Sequence, residues 1–419
     1  MVFGTTMKIS IVIPSRERGS YLLHSLATAM AIDDPDLEIV VSDNASTDNT
    51  RAIVEGCGDP RVHYVNSGHR ISMRQNFELG LHVSTGDYVI MFGDDDGILP
   101  EQFPYLREIL ERERPDSLSW DFLTFGWPIE GYGTKVGGFR LRRDKSFGIP
   151  FQIDAKVRLR ELECGHRDMS RPLPVLYHGC MSRNYLDRLK GSEGDYFKSM
   201  SPDLYISFRA LQHGGNFWHV DHPFSINGFS PASTGGSMGS LGSPAEKKAD
   251  LRFLTEMKDD EVQDVIPTTK SMALAFLGTL QTVQNRFPEE AISPNFFCWY
   301  LLALADQKRK DSATALEIVA SLDAHAAQFG SQDALAKARS LGPPSGLDNA
   351  RALLKRNLQK FHSFRVSAEV DEANTIKTAA RVCDTLLGDD LMAVMQGSMT
   401  RNAAWKKAAR RSKQFTKQI

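Results

Sequence analysis

Short apolar segments alternate with segments of helical spacing along the first part of the chain. Apolar, β-branched runs of strand length occupy residues 8–14 and 37–43, and a third run occupies residues 88–92. Between them, residues 21–30 and 72–81 carry apolar side chains at helical spacing. Such alternation of strands and helices predicts an α/β domain with a mostly parallel sheet.

Three consecutive carboxylates, Asp94, Asp95 and Asp96, follow the third apolar run. The second run also ends on an acid, Asp43, and ligands of parallel sheets bind beyond the carboxyl ends of the strands. Adjacent carboxylates repel each other, and their oxygens suit hard cations such as Mg²⁺ or Mn²⁺. A solvated acidic turn is the alternative for a bare run of acids. The flanking strand favours a ligand site at this edge of the sheet.

The pattern changes after the glycine-rich residues 235–242, which predict a linker or a mobile lid. From about residue 246, strand signals give way to helical spacing. We therefore predict two domains: an α/β domain over residues 1–244 and an all-α domain over residues 245–419. The last residues, 401–419, hold seven Lys or Arg and no acid. They predict either a solvated helical tail or a basic surface for peripheral contact with anionic lipid.

Composition narrows the class of protein. The 419 residues carry a net charge of −2 and are 41% hydrophobic, which is typical of a globular protein without a field that recruits nucleic acid. The five cysteines include no C-x-x-C pair, and neither a signal peptide nor a membrane span is predicted. We therefore expect a cytoplasmic protein with reduced thiols, whose membrane contact would be peripheral, at the inner face.

A dinucleotide fold is not supported by the loop after the first strand. Residues 14–19 contain one glycine instead of G-x-G-x-x-G, and the sequence has no Walker A motif. Bound phosphates would therefore be held by a cation and by arginines.

Three motifs together resemble family 2 glycosyltransferases of the GT-A fold. They are ISIVIP at residues 9–14, EIVVSDNASTDNT at residues 38–50 and GDYVIMFGDDD at residues 86–96. The resemblance covers roughly residues 7–230. It implies a Rossmann-like sheet flanked by helices, with Mn²⁺ or Mg²⁺ as cofactor. It also implies inverting transfer of a sugar from a nucleotide-diphosphate donor, with a UDP-sugar favoured, to a hydroxyl of a glycan or glycolipid in bacterial cell-surface polysaccharide synthesis.

The resemblance also implies roles for individual residues. Asp43 would contact the nucleotide base, Asp94 would lie near the ribose, and Asp96 would contact the metal and the diphosphate. Asp94 and Asp96 would be the metal ligands. The other residues implied on the donor side are Pro14, Ser15, Arg16, Asn44, Arg74, Asn76 and Asp95.

Asp203 is the predicted catalytic base. Ser201-Pro202-Asp203 resembles the segment that carries the base, although the family more often has Glu-Asp where this chain has Pro-Asp. An acid at a helix N-terminus can instead serve the helix dipole. Reserve candidates for the base are Glu193 and Asp195, and candidate metal or sugar contacts, each with a structural alternative, are His178, His219 and His222.

Two other functions remain open at the level of sequence. A sugar nucleotidyltransferase shares the sheet type and the paired acids, but it usually has a glycine-rich basic loop after the first strand, which residues 14–19 do not match. The second alternative is a non-catalytic module that binds a nucleotide sugar or a glycan. Release of nucleoside diphosphate from sugar nucleotides separates these alternatives.

Overall fold

The computed structural model describes residues 7–128, 137–165, 172–230, 255, 259–267, 270–341 and 362–415. Its centre is a nine-stranded sheet, and a two-stranded antiparallel ribbon of β7 and β11 stands apart from it. The strands are β1 (Ile9–Ser15), β2 (Leu37–Asp43), β3 (Val62–Asn66), β4 (Tyr88–Met91), β5 (Gly97–Ile98), β6 (Ser117–Gly126), β7 (Gly138–Arg142), β8 (Phe151–Gln152), β9 (Gly179–Ser182), β10 (Phe217–Phe229) and β11 (Ser363–Ser367).

The strand order is β3-β2-β1-β4-β9-β6-β10-β5, with β8 paired to β10. The strands β1, β2, β3, β4, β6 and β10 run in one direction. The strands β5, β8 and β9 run in the opposite direction. The prediction of a mostly parallel sheet is therefore confirmed.

Helices cover both faces of this sheet. Local sequence explains several of their ends: Ser72 and Gln75 form a capping box at the start of α3, and Pro202 opens α7. The helices are α1 (Gly19–Met30), α2 (Thr50–Glu55), α3 (Met73–Val83), α4 (Phe103–Glu113), α5 (Ala155–Glu163), α6 (Arg183–Leu189), α7 (Pro202–His213), α8 (Met272–Arg286), α9 (Phe296–Gln307), α10 (Ser312–Gln328), α11 (Gln332–Leu341), α12 (Ile376–Leu387), α13 (Asp390–Met395) and α14 (Arg401–Arg411), with 3-10 turns at Pro100–Gln102, Arg143–Lys145 and Ser412–Phe415.

Two hydrophobic cores lie on the two faces of the sheet, because successive side chains of a strand point to opposite faces. Ile11 and Ile13 of β1 belong to a core that includes α12 and α14. Val12 belongs to the other core, which includes α8 and α9. The segments after residue 259 therefore complete both cores of the α/β domain.

Among the described residues after 245, the regular structure is helical except for one strand. β11 pairs antiparallel with β7, so the prediction that this region is all-α is wrong at residues 363–367. Both the predicted boundary near residue 244 and the glycine-rich residues 235–242 lie outside the described residues. The division into two domains stays a prediction.

The basic C-terminal segment packs on the protein through several of its charges. Arg401 donates to the carbonyl oxygens of Asp144 and Ser146, and Lys407 and Arg411 bind Asp390. The segment also presents exposed bases at Lys406, Arg410 and Lys413. No helix among the described residues is long and apolar enough to cross a membrane. Peripheral contact with a membrane stays a prediction.

Asp384 gives the packing of α12 a predictable pH dependence. Burial raises the pKa of its carboxyl group from 3.8 to about 8. The folded protein therefore retains a proton that the unfolded chain releases above about pH 4, so the free energy of unfolding falls as the pH rises from about 4 to about 8. We expect Asp384→Asn to flatten this slope by up to about 1.4 kcal/mol per pH unit.

Urea unfolding of both proteins at pH 5, 6, 7 and 8 measures the effect. Asp389→Asn is the matched control, because Asp389 is an exposed aspartate that lies just after α12 and directly before α13. Equal slopes for Asp384→Asn and the wild type would contradict the assigned pKa shift.

Candidate active site

The carboxyl ends of three neighbouring strands meet at one edge of the sheet. Ser15 at the end of β1 is the register partner of Asp43 at the end of β2, and β4 lies on the other side of β1. The Ser15 hydroxyl donates to Asp94 Oδ2 at 2.8 Å. Residues far apart in sequence thus line one crevice.

Asp94 is buried and accepts hydrogen bonds from the loop after β1. Besides Ser15, the backbone N–H of Arg16 donates to Oδ2 at 3.4 Å, and Arg18 Nη1 donates to Oδ1 at 2.9 Å. The same guanidinium nitrogen lies 3.6 Å from Asp95 Oδ1. Burial raises the pKa of Asp94, and Arg18 opposes this shift.

Asp95 is buried between strand ends and is harder to ionise than an ordinary aspartate. Ser230 Oγ donates to its Oδ2 at 2.6 Å, and the Trp127 indole donates to its backbone oxygen at 2.9 Å. Burial raises the pKa of Asp95 to about 7 despite the neighbouring Arg18. Gly228 approaches so closely that a Cβ there would lie 1.7 Å from the Asp95 oxygen, so this position requires glycine.

Asp96 faces the opposite wall of the crevice. Tyr177 and the backbone N–H of Gly93 donate to Oδ2 at 2.7 and 2.8 Å, and the backbone N–H of Gly228 donates to Oδ1 at 2.7 Å. His178 Nε2 lies 3.2 Å from Oδ2. Burial alone would raise the pKa of Asp96, but these partners, His178 first, lower it on balance, so the carboxylate is held in its charged form.

His178 is oriented by a chain of hydrogen bonds. The Trp120 indole donates to Ser225 Oγ at 2.8 Å, and Ser225 Oγ lies 2.9 Å from His178 Nδ1. Since Ser225 accepts from Trp120, its own hydroxyl proton can be donated to Nδ1, which leaves Nε2–H directed at Asp96. Local backbone geometry contributes as well, because His178 has a left-handed φ of 51° and its N–H donates to the oxygen of Met91.

The carboxylates of Asp94 and Asp96 have different partners within the protein. Asp94 is turned toward the loop after β1, whereas Asp96 is turned toward Tyr177 and His178. Within the described ranges, one group of three ligand side chains has its atoms within 4.8 Å of one another, and it is Asp121, His219 and Asp221. The predicted pairing of Asp94 with Asp96 on one cation stays a prediction.

The Asp121, His219 and Asp221 cluster already contains basic partners. Lys145 forms an ion pair with Asp121, and Arg401 Nη1 lies 3.2 Å from Asp221 Oδ2. Two bound side-chain cations offset the acids, so this cluster is a poor place for a metal ion.

The predicted nucleotide-base end of the crevice is built around Asp43. Its Oδ2 accepts from Tyr64 at 2.6 Å and from the Asn66 side chain at 3.0 Å, and its Oδ1 accepts from the Ser46 N–H at 3.1 Å. Burial and the bond to Asp43 raise the pKa of Tyr64 to about 12. Asn44 next to it exchanges two hydrogen bonds with the backbone of Ile71 and thereby fixes the following loop.

Arg74 and Asn76, which were predicted on the donor side, have partners inside the protein instead. Arg74 forms a buried two-point ion pair with Asp260, at 2.9 and 2.8 Å. The Asn76 side chain exchanges hydrogen bonds with Ser42, which anchors α3 to β2. Both side chains are at most 4% exposed. The assignment of these two side chains to nucleotide contact stays a prediction, and their internal partners weigh against it.

A charge-free version of the Arg74 pair tests whether Arg74 contributes to nucleotide binding. Arg74→Gln with Asp260→Asn keeps hydrogen-bonding groups and removes both charges, so we expect the Kd for UDP to stay within about twofold of wild type. Calorimetric titration with UDP measures it, and Asp43→Asn provides the comparison within the predicted base site. A loss of affinity comparable to that of Asp43→Asn would restore Arg74 to the donor site.

Comparison with known proteins supports one family. Residues 10–155 match the family model "Glycosyl transferase family 2". Residues 10–155 are thus similar to glycosyltransferase family 2. The predicted family and its GT-A-like sheet are thereby confirmed.

Two curated glycosyltransferases are similar over part of this region. A Campylobacter jejuni GalNAc(5)-diNAcBac-PP-undecaprenol beta-1,3-glucosyltransferase is 32% identical over 95 residues, which cover 22% of this chain and 31% of that protein. The Salmonella typhimurium abequosyltransferase RfbV is 31% identical over 114 residues, which cover 26% of this chain and 34% of that protein. The chain thus spans about a third of the length of these relatives.

Among solved structures, S. aureus TarS 1–349 in complex with UDP-GlcNAc aligns at a TM-score of 0.45 with 13% identity, covering 80% of this chain and 93% of that chain.

The residue predicted as the catalytic base is exposed at the N-terminus of α7. Asp203 lies one residue after Pro202, and the surrounding protein raises the pKa of its carboxyl group. The reserve candidates are engaged elsewhere: Asp195 forms ion pairs with Lys198 and Arg286, and Glu193 lies 2.7 Å from Lys198.

Several partners of Asp94, Asp95 and Asp96 were not predicted from sequence. Arg18 lies only two residues beyond the predicted Arg16, so its place in the loop after β1 was a usable signal. Tyr177, Gly228 and Ser230 reach the acids from distant segments, and their contacts depend on the strand pairing of β9 and β10 with the sheet.

Proposed function

We propose that this protein transfers a sugar, with inversion, from a nucleotide-diphosphate donor to a hydroxyl of a glycan or glycolipid acceptor. A UDP-sugar is the favoured donor, and bacterial cell-surface polysaccharide synthesis the favoured process. The observation that carries the proposal is the crevice in which Ser15, Asp43 and Asp94 meet within a family 2 domain. The names of the Campylobacter and Salmonella relatives, a glucosyltransferase and an abequosyltransferase, support the same reaction class.

In the proposed complex the donor extends across the strand ends. The nucleotide base lies at Asp43 and Asn44. The diphosphate lies over the loop that contains Pro14, Ser15 and Arg16. Asp94 and Asp95 would line the floor beneath it, where Arg18 supplies a positive charge close to the leaving diphosphate. We leave Arg74 and Asn76 out of this donor site.

Asp203 is the proposed general base. Its carboxylate would take the proton of the acceptor hydroxyl as the oxygen bonds to the anomeric carbon and the bond from that carbon to the diphosphate oxygen breaks. The nucleoside diphosphate then leaves. The exposure of Asp203 at a helix N-terminus, where an acceptor hydroxyl can approach it, supports this role.

A Mn²⁺ or Mg²⁺ requirement is a proposal that comes from the family resemblance. Carboxylate oxygens suit such ions, and Asp94 and Asp96 are the candidate ligands, each of which already has hydrogen-bond partners within the protein. No step of the mechanism above therefore depends on the ion. The proposed location is the cytoplasm, with the tail from Arg401 as the candidate for contact with the inner face of the membrane.

Release of nucleoside diphosphate from a panel of UDP-, GDP- and dTDP-sugars tests the function. We expect UDP release from at least one UDP-sugar, and parallel reactions with EDTA and with added Mn²⁺ determine the metal requirement. Formation of sugar nucleotide from sugar phosphate and nucleoside triphosphate would instead identify a nucleotidyltransferase. Tight donor binding without any turnover would identify a non-catalytic module.

A further inference from the structure

Phe122 is a large apolar side chain that lies exposed beside the acid-lined crevice. It is 46% exposed, although both of its neighbours on β6, Asp121 and Leu123, are buried. One face of its ring stacks on His178, with ring centroids 4.8 Å apart and an interplanar angle of 27°. His178 in turn contacts Asp96. The other face of the phenyl ring, on the side away from His178, is thus available to a ligand.

The position of β6 in the sheet indicates which part of a substrate would reach this ring. Moving from β2 through β1 to β4 leads from Asp43 to Asp96, and β6 lies two strand positions beyond β4. Neighbouring strands are about 4.8 Å apart, so Phe122 lies roughly 10 Å beyond β4. It lies on the side away from Asp43, the predicted contact of the nucleotide base. A donor lying along the strand ends would therefore direct sugar, and not nucleotide, toward Phe122.

We propose that Phe122 is the platform on which a pyranose ring of the sugar substrate stacks. The proposal rests on the proposed glycosyltransferase function and adds a sugar subsite to it. One face of a pyranose presents C–H groups that pack favourably on the electron-rich face of an aromatic ring. Thr124 lies two residues further on the same face of β6 and is exposed, which places a hydroxyl beside the ring for hydrogen bonding to the sugar.

The hydrogen bonds of His178 make the platform rigid. Ser225 and Asp96 hold the two nitrogens of the imidazole, so the surface under the phenyl ring is fixed before any sugar arrives. A preorganised ring loses little conformational entropy on binding, which favours its use as a recognition surface.

Phe122→Ala, Phe122→Trp and Phe151→Ala form a matched set for the test. Phe151 is also exposed, at 41%, and contacts a buried histidine, His219, but it lies at the opposite end of β10 from the crevice. Calorimetry gives the Kd for UDP, UDP-glucose and UDP-GlcNAc in the presence of Mn²⁺. Saturation-transfer NMR with methyl β-D-glucopyranoside and its N-acetylglucosamine counterpart, in the presence of UDP, reports on an acceptor ring.

We expect Phe122→Ala to bind UDP as wild type does and to bind a sugar probe about five- to tenfold more weakly, which corresponds to the energy of an aromatic contact. Phe122→Trp should bind the sugar probe about as tightly as wild type, because it keeps an aromatic ring. Phe151→Ala should also bind the probe as wild type does. A loss confined to UDP-sugars assigns the platform to the donor sugar, and a loss confined to the methyl glycosides assigns it to the acceptor.

Sugar binding by Phe122→Ala that equals wild type would overturn the proposal. So would a wild-type protein that binds neither methyl glycoside and binds UDP-sugars no more tightly than UDP. Failure of the function itself gives a different result: no nucleoside diphosphate is released from any donor, while sugar binding still depends on Phe122.

Discussion

Asp203→Asn is expected to lower kcat for sugar transfer by about 10²- to 10⁴-fold and to leave the Kd for UDP unchanged. Asparagine keeps the size of the side chain but cannot accept the proton of the acceptor hydroxyl, and general-base catalysis typically contributes this factor. Steady-state rates of UDP release, with the donor that the panel identifies, measure the loss in kcat. Titration with UDP verifies that the donor site is intact.

The pH dependence of the wild-type rate gives a second test of Asp203. Only the ionised carboxylate can act as a base, so kcat should fall as the pH drops through the pKa of Asp203. Because the surrounding protein raises that pKa, the fall should begin at a higher pH than for an ordinary aspartate. The residual kcat of Asp203→Asn should not show this fall at low pH.

Asp195→Asn and Glu193→Gln are the controls for this assignment. Their carboxylates lie in the same loop region but form ion pairs with Lys198, and Asp195 also pairs with Arg286. We expect each variant to keep kcat within about tenfold of wild type. A larger loss for Asp195→Asn than for Asp203→Asn would move the base to Asp195.

The strand ends of the site could be predicted because each is encoded locally. The runs that become β1, β2 and β4 are apolar, of strand length, and followed by polar residues, so their carboxyl ends could be located without a structure. Asp43, Ser15 and Asp94 consequently lie together as predicted.

The roles of Arg74 and Asn76 could not be predicted in the same way. The sequence around a polar helical residue does not show whether the partner of that residue is a ligand or another side chain. Arg74 is neutralised by Asp260, which lies 186 positions later in the chain. Asn76 likewise has a partner within the protein, because it forms a hydrogen bond with Ser42 where α3 packs on β2. Such pairs are determined by tertiary packing.

The strand β11 was missed for a related reason. Its five residues, SFRVS, form a strand by pairing with β7, more than two hundred positions earlier in the chain. Short strands draw much of their stability from cross-strand neighbours, so their own sequence is a weak signal.

Arg18→Gln should lower the free energy of unfolding by about 3 kcal/mol at pH 7.5. The guanidinium lies between Asp94 and Asp95, which are 2% and 4% exposed. Without it, two buried carboxylates on adjacent residues lose their shared cation, and removal of one partner from a buried ion pair typically costs about 3–5 kcal/mol. The lower figure applies here because Arg18 keeps some contact with water, its side chain being 21% exposed. Urea unfolding measures the difference.

The surface pair of Arg51 and Glu55 supplies the control. These side chains are 69% and 52% exposed, so Arg51→Gln should cost less than about 0.5 kcal/mol. An equally small cost for Arg18→Gln would contradict the assignment of Arg18 as the cation that holds the acids together. Arg18→Gln combined with Asp94→Asn should recover part of the lost stability, because one of the two unpaired charges is then absent.

The loss in free energy of unfolding caused by Arg18→Gln, called the deficit below, should depend on pH. This dependence distinguishes the effect of the lost charge from the effect of lost packing. Burial already raises the pKa of Asp95 to about 7 and raises that of Asp94, and loss of the neighbouring cation moves both upward. An aspartate with a raised pKa in the folded state binds a proton more tightly there than in the unfolded chain, so lowering the pH favours the folded state. The deficit should therefore be largest near pH 8 and shrink toward pH 5, where protonation removes the charges that Arg18 compensates. A deficit that is constant over this range would mean that Arg18 stabilises the loop after β1 by packing alone.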